Sequence, residues 1–267
     1  MLRSLFTGIS GLDAHQQMLD VTANNIANVN TTGYKSSSTV FEDTLSQTLS
    51  GAGATAASTG GTNATQVGLG VKLAATNLDF TQGASQPTGV PSNMLINNDG
   101  FFMVTKGGTQ MYTRAGAFEL DESGHLVAPD GAEVEGTDGK VLDLSALHSG
   151  DYVSYSIGQD GTISGIKRDS STVSLGQVGL ATFPNPEGLT KVGDSEFVAS
   201  ASSGAADVGA PGTGSRGTIS SGYVEMSNVD LSKELTNLII AQRGFQANSK
   251  VITTSDQILD TLVNLKQ

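Results

Sequence analysis

Residues 228–267 contain no proline and a single glycine, Gly244. Stepping by four and then three from Leu231 reaches Leu235, Leu238, Gln242, Phe245, Ser249, Ile252, Asp256, Leu259, Val263 and Lys266. Most of these are apolar, the pattern of a helix that lays a stripe against another helix. Asn228 or Asp230 stands where an N-cap belongs, and Glu234 falls in the first turns. At about 1.5 Å per residue the helix would be roughly 50 Å long, more than a small domain can cover. Its stripe must be satisfied elsewhere, and that requirement limits what the rest of the chain can be.

The opposite end offers a partner. From Leu2, steps of three and four give Leu5, Ile9, Leu12, Gln16, Leu19, Ala23, Ile26 and Asn30. Gly8 and Gly11 weaken this helix, by up to about 1 kcal/mol each relative to alanine. The turn signal Asn28-Val29-Asn30-Thr31-Thr32-Gly33 ends it. Two arrangements satisfy the pattern. The stripes pair into a hairpin within one molecule, or they bury themselves against neighbouring copies. In the second case the helices order only on assembly, because isolated helices of this kind are marginal in water.

Between the helices the period changes. Residues 51–65 (GAGATAASTGGTNAT) have no large apolar side chain and read as a flexible connector. From Val67 onward, short alternating runs are divided by turn signals at Asn98-Asp99-Gly100, Lys106-Gly107-Gly108, Asp121-Glu122-Ser123-Gly124, Pro129-Asp130-Gly131 and Gln159-Asp160-Gly161. That rhythm predicts antiparallel strands rather than βαβ units. Residues 200–217 are again rich in glycine and serine. The expected fold is α+β, with long N- and C-terminal helices paired as a coiled coil and a central antiparallel all-β domain. The expected order is a core helix at 1–30, an extended connector at 31–75, a β domain at 76–200, a second connector at 201–222 and a core helix at 223–267.

Several functions fit poorly. A net charge of −12 argues against nucleic acid or an anionic membrane surface as partner. Without cysteine there is neither a disulfide framework nor thiolate chemistry. No stretch approaches the ~20 apolar residues needed to cross a bilayer, so no membrane insertion is expected. The first residues lack the apolar core and cleavage site of a secretory signal, so any export is expected to use a route without a cleaved signal. His15, His125 and His148 are scattered without metal-ligand spacing. The Asp121-Glu122-Ser123 and Asp138-Gly139 stretches lack the alternating oxygen ligands of a calcium loop and read as hairpin turns. No catalytic residue, cofactor or metal is expected.

Longer segments carry a resemblance. LFTGISGLDAHQQMLDVTANNIANVNTTGYK, residues 5–35, resembles the N-terminal signature of bacterial flagellar rod and hook axial proteins. Residues 227–267 resemble the matching C-terminal signature, and GLGVKLAATNLDFTQGASQPTG and LINNDGFFMV resemble core segments of the family. The sequence from Ala241 to the end and the LDFTQG segment look more like hook subunits. Rod subunits more often carry A-Y-E-I-N where this chain has Gly244-Phe245-Gln246-Ala247-Asn248. VFEDTLSQTL, residues 40–49, is rod-like.

The resemblance thus implies a short-form hook subunit, with a distal rod subunit as the alternative. Such a protein is exported unfolded through the flagellar type III export apparatus to the extracellular flagellum. It polymerises with itself into a curved, hollow tube that acts as a flexible torque-transmitting joint, and it meets rod, hook cap and hook–filament junction proteins. On that reading Leu5, Ile9, Leu12, Leu19 and Ile26, with Leu235, Leu238, Phe245, Ile252, Leu259 and Leu262, are the subunit interface. The two glycine-rich stretches are its compliant joints.

Overall fold

The computed structural model describes residues 2–54, 60–149, 152–169 and 171–265. Lys266, the last position of the stripe, lies outside these residues, as do part of the first glycine-rich stretch and the side chain of His148. The chain forms two compact units. One comprises residues 1–27, 37–77 and 230–267, and the other comprises residues 28–36 and 78–229.

Two helices dominate the first unit, α1 (Leu2–Ala27) and α2 (Leu231–Asn264). The Asp230 side chain caps α2, accepting from the backbone N–H groups of Ser232 at 2.8 Å and Lys233 at 3.3 Å. The helices run antiparallel, with Gly8 against Ile252, Gly11 against Asn248 and Gly244 against His15. A Cβ at Gly11 would stand 2.8 Å from the Asn248 side chain, and one at Gly244 would stand 2.4 Å from the His15 ring. Ala14 and Thr22 on α1 and Ala241 and Ser255 on α2 are also buried.

Small residues therefore lie at the contact, where an added side chain would collide with the facing helix. The two terminal helices pair as expected, with Gly8, Gly11, Ala14 and Ala241 rather than leucines among the most buried positions. The buried positions of α2, Glu234, Ala241 and Ser255, each fall one residue before a stripe position, Leu235, Gln242 and Asp256. Leu238, Ile252 and Leu259 of the stripe stay half-buried beside them, so one column of the stripe is kept and the contact face turns by about 50°, half of the ~100° step per residue. Gly8 and Gly11, read from the sequence as weak points, are where the helices meet.

The remainder of this unit is strand. Ser37–Asp43 pairs with Val71–Leu78, and Ser46–Ser50 pairs antiparallel with Thr65–Gly68, with a further bridge between Gly53 and Thr62. The described part of the expected 31–75 connector is thus largely a β-hairpin. Its inner strands are fully exposed, so the backbone ladder, not apolar burial, orders it. Asn25 fixes the exit of α1 by donating to the Ser37 carbonyl at 2.8 Å and accepting from the Ser37 N–H at 3.0 Å.

The second unit is built on a nine-stranded antiparallel sheet. Phe101–Lys106 lies inside it, between Thr109–Thr113 and Glu133–Val134. Successive residues of a strand point to opposite faces, so Phe102 and Val104 join one core with Met94, Phe118, Leu126 and Leu180. Phe101 and Met103 join another with Tyr112, Phe183, Leu189 and Phe197. The expected 201–222 connector is integrated here. Asp207–Gly209 pairs with Leu180–Thr182, and Thr218–Ser221 pairs with Met94–Asn97. Arg216 bonds Asp207 at 2.8 Å. Backbone pairing supplies what the small side chains of this stretch cannot.

One carboxyl in this body is out of balance with its surroundings. Glu196 is 4% exposed, and its Oε1 has no hydrogen-bond partner among the described residues. Burial, reinforced by Asp130 and Asp194 against the opposing pull of Lys106, raises it from 4.5 to about 7. The folded state thus holds this proton more tightly than the unfolded chain does. The associated stability is full below pH 4.5 and is lost as pH rises through about 7. Glu196→Gln should remove this component, so urea titrations should show the stability difference between wild type and variant changing between those pH values and constant above them. In the helical unit, Gly11→Leu should destabilise the pair by about 1–3 kcal/mol, seen as lost helical circular dichroism in the monomer.

Candidate assembly interface

Where residues 28–36 meet residues 79–83 and 225–228, the second unit buries a set of charges. Gly33 opens the turn with φ +67°, and a Cβ there would collide with the Ala115 backbone at 2.3 Å. Its N–H donates to the Glu225 carbonyl at 2.8 Å. Two residues later the Lys35 ammonium, fully buried, donates to Glu225 Oε1 at 2.7 Å and to the Thr81 carbonyl at 2.7 Å. The Gly83 N–H donates to the same carboxylate oxygen at 2.8 Å. Arg114 Nη1 stands 3.5 Å from Glu225 Oε2, with its guanidinium 5.3 Å over the Phe101 ring.

Burial lowers Lys35 from its ordinary pKa, and the Glu225 carboxylate pulls it back upward. The same two influences act on Arg114. Asn228 completes the junction, accepting from the Ser36 N–H at 2.8 Å and donating to the Asp79 carbonyl at 2.8 Å. The sequence reading considered Asn228 as a helix cap, but its side chain is spent here and Asp230 caps instead. Nothing in the spacing of Lys35, Arg114 and Glu225 announced that they meet. Two cations against one carboxylate form a structural clasp, and the arrangement presents no nucleophile or general base to a substrate.

The candidate interface residues divide into two groups. Leu5, Leu12, Leu19 and Ile26 on α1 and Leu238, Ile252 and Leu259 on α2 are half-buried. Ile9, Leu235, Phe245 and Leu262 are exposed, by 45%, 51%, 37% and 48%. Phe6, Ile239, Ile240 and Ile258 lie off the stripes and are all more than half exposed, as is the stripe position Val263. The signal for them was present, since α2 is apolar over more of its circumference than one stripe. Among the described residues no helix is long and apolar enough to cross a membrane.

The other candidates have local roles. Asp121 Oδ1 accepts the His125 N–H at 2.8 Å, and Asp160 Oδ1 accepts the Thr162 N–H at 3.1 Å. These carboxylates close turns on their own backbone. His15 packs 6.1 Å from Phe41, and His125 lies 3.5 Å from Glu133.

Both units contain segments that match described families. Residues 5–35 match "Flagella basal body rod protein", residues 95–165 match "Flagellar hook protein FlgE/F/G D1 domain" and residues 220–265 match "Flagellar basal body rod FlgEFG protein C-terminal". A flagellar basal-body rod protein FlgG from Bacillus subtilis is 46% identical over 268 residues, with both chains covered completely. The chain belongs to the flagellar rod and hook family. The FlgG of Borreliella burgdorferi is 39% identical over 273 residues, again with both chains covered completely. The flagellar hook protein FlgE of that organism is 29% identical across an alignment of 441 positions covering both chains. The chain is a structural axial protein of the flagellum and not an enzyme.

In this family member the clasp can be tested directly. Glu225→Ala leaves two buried cations without a counter-charge and should destabilise the second unit by about 3–5 kcal/mol, read from the urea midpoint of the soluble chain.

Proposed function

We propose that the chain is a subunit of the distal rod, polymerising with copies of itself and adjoining axial proteins into a straight, stiff, hollow drive shaft. The observation that carries this reading is end-to-end similarity at equal length. Rod proteins match across the whole chain at 46% and 39% identity, whereas the hook protein matches at 29% only through an alignment far longer than this sequence. The hook expectation therefore gives way to its alternative. The segment from Ala241 to the end and the LDFTQG segment are the features that favour hook.

Physical reasoning supports the same choice. A flexible joint needs segments with few contacts and low local stability. The two glycine-rich stretches were the candidates, and each is tied down by backbone pairing at some of its described residues: the Gly53–Thr62 bridge and Thr65 in the first, and Asp207–Gly209 against Leu180–Thr182 in the second. The apolar faces of α1 and α2 remain for neighbouring copies. Each leucine-sized side chain buried on assembly contributes ~1.5–3 kcal/mol. A head-to-tail contact that does not close on itself then builds an open helical tube. The type III export apparatus is the expected route to the growing end.

Electron microscopy of tubes grown from the purified chain should show straight cylinders, and curved ones would restore the hook reading. Phe245→Asp should abolish tubes while changing monomer stability by no more than about 0.5 kcal/mol, since the side chain is already exposed in a single copy. Sedimentation for polymer and circular dichroism for monomer measure the two effects.

A further inference from the structure

The buried clasp has an excess of positive charge. Lys35, Arg114 and Glu225 are 0%, 3% and 1% exposed in their side chains, so two cations face one carboxylate. Lys35 and the Gly83 N–H occupy Glu225 Oε1, Arg114 Nη1 faces the remaining Oε2 at a long 3.5 Å with no hydrogen bond between them, and Arg114 Nε has no hydrogen-bond partner among the described residues. An unpartnered donor inside a protein is costly. Asp79 and Asp99, the other acids that act on the clasp, are both exposed.

Arg114 lines a cleft of about 280 Å³ in the same unit. Phe101, Phe183 and Thr182 are buried residues of its lining, and Asp99, Pro184 and Ser215 are exposed ones. Its volume falls just below the roughly 300–1,000 Å³ of pockets that hold small molecules, which suits an inserted side chain better than a cofactor. The chain itself is the abundant source of the complementary charge, with 26 acidic residues against 14 basic ones.

We propose that this cleft is a socket for an aspartate or glutamate side chain of a second copy of the chain. The inference rests on the polymer reading above and assigns one of its contacts. A socket on one surface filled by a carboxylate from a different surface of the next copy is a heterologous contact, the type that propagates an open helix. The incoming carboxylate balances the excess charge while its stem lies against the aromatic lining. It also reduces the like-charge repulsion that copies bearing −12 each would otherwise bring to the polymer.

The chain has no cysteine, so Ser215→Cys supplies a unique thiol for a benzophenone maleimide. Tubes grown from this labelled chain mixed with nitrogen-15 chain, irradiated and digested, should give a cross-link to an Asp- or Glu-bearing peptide of a different copy. The dilute monomer should not. Adducts confined to the same copy, adducts to peptides without an acid, or no adduct would overturn the proposal. As a second measurement, Ser215→Trp fills the mouth of the cleft without touching the clasp. It should keep the wild-type urea midpoint and polymerise at least about tenfold less tightly, the factor set by 1.4 kcal/mol. If it forms tubes as readily as wild type, the socket fails and the tube reading stands. If neither chain forms tubes, both fail.

Discussion

An ion pair that cannot be left half-made organises the second unit. Taking Lys35 or Glu225 out of water alone would carry a penalty of several kcal/mol, so each can be buried only in the presence of the other. They are 190 residues apart in sequence. Their meeting therefore brings the segment after α1, the segment around Thr81 and Gly83 and the segment before α2 to one place in the body. Backbone groups of Gly33, Ser36, Thr81 and Gly83 are satisfied in the same junction. Ordering the turn, the pair and the Asn228 bridge is thus a single cooperative event, because each supplies hydrogen bonds that the others need.

The helical unit follows a different rule. Glycine and alanine at the contact give up apolar area per residue but allow close backbone approach, and dispersion grows steeply as gaps close. The consequence for function is geometric. Because the small residues take the inside of the pair, large side chains such as Phe6, Leu235, Ile239, Ile240 and Phe245 are left outside. A leucine-lined contact would have consumed this surface within the monomer. The glycine-lined one leaves it exposed, as the proposed contacts with other copies would need.

Local order also has a backbone origin. The described parts of residues 46–68 and 201–222 are poor in large side chains, and composition alone would leave them loose. In the first, antiparallel hydrogen bonds link residues such as Gln47 and Val67. In the second, Leu180 pairs with Gly209 and Ile96 with Ile219. Backbone pairing to distant strands orders these residues where side-chain burial could not.

By itself the sequence determined the two terminal helices, the antiparallel body and the family. These depend on local periodicity, turn chemistry and long contiguous motifs, all of which are written along the chain. The cap was narrowed to Asn228 or Asp230, and the structure chose Asp230. Tertiary structure alone decided which face of α2 meets α1, because a one-residue offset separates the leucine stripe from the Ala241 and Gly244 contact. It likewise decided that Lys35, Arg114 and Glu225 share one site, and that Asp207–Gly209, inside a glycine-rich stretch, pairs as a strand with Leu180–Thr182. Pairings of this kind depend on partners far away in sequence, and composition within a window holds no record of a partner outside it.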